Sequence, residues 1–180
     1  MILGLISDTH DDLEAIDKAF NIFVEHGVET IVHCGDWVKP ETLHYFGEKA
    51  LENQMVVKLV VGNNETEEQK KEFRLIDESN QYPFDMSTEL TELTFEIDGV
   101  EYAICHGHEG VMLDSLVESE DYEVVFRGHT HQPADKVYEN TRVINPGAAC
   151  HLTLGNPTRE QGVGIYDTQS KLLQFIPIGE

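Results

Sequence analysis

Five short clusters of potential metal ligands punctuate the chain, and each directly follows an apolar, strand-like run. They are Asp8-Thr9-His10, Gly35-Asp36, Gly62-Asn63-Asn64-Glu65, His106-Gly107-His108 and Gly128-His129-Thr130-His131. Carboxylate, carboxamide and imidazole groups together suit Mn²⁺, Fe or Zn²⁺. Taken singly, several clusters have plainer readings. Asp36 reads equally as a turn residue or a helix N-cap, Asp8 and His10 as the capped approach to a helix at Asp12, and Gly62-Asn63 as an ordinary turn. Two histidines two residues apart after an apolar strand, His129 and His131, are harder to explain by packing. Ligands in open α/β folds bind beyond the carboxyl ends of strands, where loops converge, and all five clusters occupy such positions. One shared carboxylate can bridge two cations ~3.5–4 Å apart, and Asp36, alone after its strand and a glycine, is the natural bridge.

The elements that must carry these clusters are legible in the hydrophobic pattern. Ile2–Ile6 is a continuous apolar run, as in a strand covered on both faces. Leu13, Ile16, Phe20, Phe23 and Val24 recur at helical spacing, and Gly27 is a natural stop. Thr30–His33 and Met55–Val61 read as the second and third strands, with Pro40 opening a helix between them. Thr66 and Gln69 form a capping box for the polar helix that follows. Beyond Leu90 the pattern alternates at Leu93, Phe95 and Ile97, and Asp98-Gly99 turns the chain back into Val100–Cys105. A short helix near Val111–Val117 leads to a strand at Tyr122–Phe126, then to short strands near Lys136–Tyr138, Arg142–Ile144, Val163–Tyr166 and Leu172–Ile176. The pattern predicts one α/β domain over residues 1–180, with two sheets packed together and helices outside. The front half is expected to be parallel-rich and the back half antiparallel-rich.

Composition narrows the function. The 34 acidic and 12 basic residues give a formal charge of −22. Such a surface repels nucleic-acid phosphates and anionic lipid, which argues against a stable nucleic-acid or membrane partner. The charge exceeds what a metal site needs, and solubility in a salt-rich cytoplasm is one cause that fits. The three cysteines, Cys34, Cys105 and Cys150, form no CxxC pair. Cys34 and Cys105 read as buried small hydrophobes beside the ligands rather than as ligands. There is no signal-like leader and no run of the ~20 apolar residues that a membrane span needs, so the chain reads as cytoplasmic. His26, His33, His44 and His151 are read as packing or surface residues, and Trp37 as packing ahead of a pocket wall.

The ordered set DxH, GD, GN, HGH, GHTH resembles that of the calcineurin-like metallophosphoesterases, closest to the small archaeal and bacterial YfcE-type phosphodiesterases. The likeness runs from Ser7-Asp8-Thr9-His10 to Ile144-Asn145-Pro146-Gly147. It implies a two-sheet αββα sandwich with the metal site at the carboxyl ends of the strands. One divalent cation would bind Asp8, His10, Asp36 and His131, and the other Asp36, Asn63, His106 and His129. Mn²⁺ is the first expectation, with Ni, Fe, Co or Zn as alternatives. A hydroxide bridging the two would attack a small phosphodiester in line, without a phospho-enzyme. Relatives of this type commonly self-associate, so a homo-oligomer is expected.

Two departures bear on mechanism. Many superfamily members carry a histidine directly after the metal-binding asparagine, whereas this chain has Asn64, which donates a hydrogen bond but is no general acid. His108 is then the candidate proton donor or phosphate contact, and Asn64 and His108 are the candidate catalytic pair. Ala148 follows the Asn-Pro-Gly turn where relatives often have serine, and Glu65 replaces the commoner Asp. The rival activity is a phosphomonoesterase or nucleotidase, whose doubly charged substrate calls for more cationic groups than Arg127 alone. A non-catalytic scaffold, as in retromer subunits resembling this family, usually loses metal-binding histidines. Here all seven ligand positions are filled.

Overall fold

The computed structural model describes residues 1–87, 90–151 and 161–178. The first sheet begins with β1 (Ile2–Ile6), β2 (Thr30–His33), β3 (Val56–Leu59) and β4 (Phe84–Met86), joined by α1 (Leu13–Glu25), α2 (Pro40–Glu52) and α3 (Glu67–Glu78). The second comprises β5 (Glu92–Ile97), β6 (Val100–Cys105), β7 (Val124–Phe126), β8 (Ala134–Tyr138) and β9 (Thr141–Asn145), with α4 (Gly110–Glu118) between β6 and β7. The last strands, β10 (Gly162–Asp167) and β11 (Leu173–Pro177), return to the first sheet, whose order is β11-β10-β1-β2-β3-β4. The second sheet runs β5-β6-β7-β9-β8.

This arrangement corrects the expected division into parallel and antiparallel halves. Both sheets have a parallel centre: β1, β2, β3 and β4 in one, and β6, β7 and β9 in the other. Antiparallel strands lie only toward the margins, where β10 flanks β1 and β5 and β8 form the edges of the second sheet. The back half looks antiparallel in sequence because its hairpins are local. Helix α4 supplies the crossover that makes β6 and β7 parallel.

Three apolar layers follow from strand alternation. Leu3, Leu5 and Val32 point from the first sheet toward Tyr102, Ile104, Phe126 and Ile144 of the second, forming the seam between sheets. On the outer side of the first sheet, α1 and α2 bury Ile16, Phe20, Phe23, Leu43 and Phe46. Helix α4 covers Ala103, Cys105, Val125 and Val143 on the other sheet with Leu116. The buried stripe of α1 is Ala15, Ile16, Ala19, Phe20 and Phe23, while Leu13 and Val24 are exposed. Small alanines take the two expected positions because the helix lies close to β1, where a Cβ on Gly4 would come within 2.8 Å of the Phe23 ring. Burying Phe20, Phe23 and Ile16 contributes roughly 2 kcal/mol each before entropy is subtracted. The Thr66–Gln69 capping box and Pro40 in the first turn of α2 both form as expected. Among the described residues, no helix is long and apolar enough to cross a membrane.

Candidate metal centre

Parallel register brings the carboxyl ends of the central strands to one rim. Ile6 pairs with His33 and His33 with Leu59, while Ile104 pairs with Phe126 and Phe126 with Ile144. The loops leaving these strands carry all five clusters. They are stitched edge to edge by backbone bonds from Asp8 N to Gly35 O, His10 N to Asp36 O, and Gly128 N to His106 O.

Asp8, His10, Asp36 and His131 offer ligand atoms that all lie within 4.8 Å of one another. The His131 Nε2 is 3.1 Å from Asp8 Oδ1 and the His10 Nε2 is 3.6 Å from Asp36 Oδ2. On the other side of Asp36, His106 Nε2 lies 3.4 Å from the same Oδ2 and 3.2 Å from Asn63 Oδ1. His129 stands beside this second group, its ring centroid 5.2 Å from that of His106. The structure therefore gathers the other six predicted ligands near Asp36, whose Oδ2 lies between His10 and His106.

Supporting bonds aim the donors. His106 uses Nδ1 to donate to Cys34 O at 2.7 Å, which leaves Nε2 facing inward. Ser7 Oγ and the His129 N–H both donate to Asp8 Oδ2, leaving the buried Asp8 Oδ1 without a hydrogen-bond partner among the described residues. His131 Nδ1 is likewise buried and unpartnered. An orphaned carboxylate oxygen in a dry site is costly unless something positive meets it, so this donor set fits a divalent cation.

Electrostatics agree. Burial works to raise Asp36, but the hydrogen bonds and charge of His106 and the bonds from Asn64 hold its carboxyl well below the ordinary range. Burial pulls His106 down, yet the bond and charge of Asp36 outweigh it and leave the imidazole above its ordinary value. The pair thus favours positive charge at the point where a cation would bind. His10 and His129 are lowered, chiefly by burial.

The site is bought with backbone strain. Asp8, His10, Asp11, Asp36, Val38, His129 and His131 all have positive φ. Each costs about 1 kcal/mol or more, and such residues cluster where function requires an unusual geometry. Glu65, which stands where relatives commonly have Asp, clamps two loops: it accepts from Val38 N at 2.8 Å and Gly62 N at 2.6 Å. Burial raises its pKa despite these bonds.

The two catalytic candidates are placed differently. Asn64 donates from Nδ2 to Asp36 Oδ2 at 2.5 Å and from its backbone N–H to Oδ1 at 3.2 Å, so its amide holds the shared carboxylate. His108 stands at the margin, with its ring 5.4 Å from His106 and 6.2 Å from His129. Burial lowers its pKa. The remaining histidines are structural: His33 is fully buried and stacked on Trp37 at 3.3 Å, His26 bonds Ile22 O, His44 meets Tyr82, and His151 pairs with Asp12. Trp37 is fully buried and bonds Val60 O, so it packs rather than lining a pocket.

Residues outside the ligand set also shape the site. Asn145 donates to Gly128 O and Thr130 Oγ1, fixing the His129–His131 loop, and its place in the Asn-Pro-Gly turn was the only signal for it. Cys150 lies close to His10 and His131, and nothing in its spacing pointed there.

A family model described as the calcineurin-like phosphoesterase superfamily domain matches residues 1–171. A phosphodiesterase of Methanocaldococcus jannaschii is 37% identical over 172 residues, covering 95% of each chain. A solved archaeal phosphodiesterase is 34% identical with a TM-score of 0.78, covering 98% of this chain and 99% of that one. The Escherichia coli phosphoesterase YfcE shares the fold at 18% identity, with a TM-score of 0.65 over 99% of this chain and all (100%) of its own.

Proposed function

The chain belongs to the calcineurin-like phosphoesterase superfamily, hydrolases of phosphoric esters, and from that membership we propose a phosphodiesterase that cleaves small phosphodiesters using two divalent cations. The observation that carries this reading is Asp36, whose Oδ2 faces His10 on one side and His106 on the other. Asp8, His10, Asp36 and His131 would hold one cation. Asp36, Asn63, His106 and His129 would hold the other, with Mn²⁺ the leading candidate and Ni, Fe, Co or Zn as alternatives. When bound, the cations supply Lewis-acid polarisation of the phosphoryl oxygens and acidify an attacking water toward neutral pH.

The chain's own groups divide the remaining work. Asn64 fixes the Asp36 carboxylate through two hydrogen bonds and carries no titratable proton. Proton delivery to the leaving oxygen falls to His108, which borders His106 and His129 and retains partial solvent contact. A diester leaves one negative charge at the scissile phosphate. The 37% identical relative is named a phosphodiesterase, which favours that substrate over the more highly charged monoester.

The test uses metal-stripped protein with bis(4-nitrophenyl) phosphate and 4-nitrophenyl phosphate, adding Mn²⁺, Ni²⁺, Mg²⁺ or Zn²⁺ singly. Metal-restored cleavage favouring the diester is expected. Monoester preference would replace this reading with a phosphatase, and bound metal with no ester cleaved would leave the scaffold.

A further inference from the structure

Beside the metal centre, a cavity of about 250 Å³ opens along the loop that carries His129 and His131, lined by Arg127, Thr130, Pro133, Lys136, Tyr138 and Asn145 among others. In a chain of formal charge −22, no carboxylate among the described residues lines it. Most described cations, Lys49, Lys58 and Arg142 among them, sit against a carboxylate. Arg127 and Lys136 belong to the few that pair with none among the described residues, and both face this one cavity.

Arg127 is also held in place. Its Nε and Nη2 donate to Gly128 O at 3.3 and 3.2 Å, and its guanidinium lies over Gly107, where a Cβ would come within 2.9 Å of Nε. The cation is thus fixed between the His106–His108 loop and the His129–His131 loop. Asn145 Nδ2 donates to Thr130 Oγ1, which leaves the Thr130 hydroxyl proton available to an acceptor. An oxyanion entering the cavity would find two cations that no carboxylate among the described residues neutralises. An anionic substrate approaching so acidic a protein also gains from a local positive patch at the site.

We propose that this cavity is an anion subsite, taking a second anionic group, phosphate-like or carboxylate, carried by the phosphodiester whose scissile phosphate lies at the metal centre. The inference rests on the phosphodiesterase reading and deepens it, because the preferred substrates become diesters with a further charge on the non-leaving side.

The test compares ethyl 4-nitrophenyl phosphate with its 2-phosphonoethyl analogue on Mn²⁺-loaded protein. Wild type should favour the analogue by about tenfold or more in kcat/KM, with the ratio falling as salt rises. Lys136→Glu should bring the ratio to about one or below, and Lys136→Arg should keep it. A second measurement needs no turnover: sulfate titration followed by amide chemical shifts, with and without diamagnetic Zn²⁺. Shifts centred on Thr130 to Lys136, and lost in Lys136→Glu, support the subsite. If both diesters are cleaved with a ratio that Lys136→Glu does not change, the subsite is overturned while the phosphodiesterase reading stands. If neither diester is cleaved, that reading fails and the sulfate shifts decide the cavity: shifts scattered over other surface lysines overturn it. Sulfate binding with an unchanged substrate ratio reduces it to a free-anion site and overturns the substrate assignment.

Discussion

Gly62→Ala isolates one physical requirement of the centre, the close approach of β3's exit loop to Asp36. Gly62 does not have a positive φ, so the backbone tolerates alanine and only space is at issue. A Cβ there would overlap Asp36 Oδ1 and lie 2.7 Å from Asp36 N and 2.8 Å from its Cγ. Restoring ordinary contact moves the carboxylate by about 1 Å, a displacement of the size that can cost a site about 10²-fold. The movement breaks the 3.2 Å bond from Asn64 N and strains the Glu65 clamp on Gly62 N. Overpacking of about 1–3 kcal/mol and a lost charge-assisted bond of about 1.5–3 kcal/mol partly overlap, giving a destabilisation of about 3 kcal/mol. Urea denaturation and calorimetric Mn²⁺ titration read the two effects. Gly110→Ala is the control: nothing lies within 4 Å of its added Cβ, and as the first residue of α4 it should be neutral or gain a few tenths of a kcal/mol. A Gly62→Ala protein with wild-type stability and wild-type Mn²⁺ affinity would refute the close-approach argument.

Three further outcomes are expected. Asp36→Asn should lower bound metal at both positions, by about 100-fold or more in affinity, and abolish turnover; full metal content with retained activity would remove its shared role. His108→Ala should slow diester hydrolysis by about 10²-fold with metal content unchanged, and loss of a cation would instead make His108 a ligand. Burial, reinforced by His106, holds His33 well below the ordinary imidazole value, with Asp36 opposing. As pH falls below about 6.5 the unfolded chain therefore takes up a proton that the folded chain refuses, and stability drops by up to about 1.4 kcal/mol per pH unit. Denaturation at pH 7.5 and 5.5 should show a shallower loss in His33→Gln than in wild type, and equal slopes would count against it.

The candidate ligands and most elements are legible in sequence because their signals are local. An apolar run followed by Asp or His marks a strand and its exit loop, and Thr66 with Gln69 marks a helix start. The three residues of β4 were missed, since Phe84–Met86 is too short to show a period and exists as a strand only through pairing with β3. Trp37 beside Asp36 packs as expected, and only the structure supplies its partners, the His33 ring and Val60 O. Residue type and order determined which groups are able to bind cations, because chemistry is a property of the side chain. Tertiary structure alone decided that these groups meet. Parallel pairing of β6, β7 and β9 sends the histidine loops to the same rim as the exits of β1, β2 and β3. Only there do strained, positive-φ residues from the loops after β1, β2 and β7 turn Asp36 toward His10 and His106 together, and that convergence comes from long-range strand pairing, to which hydrophobic periodicity is blind.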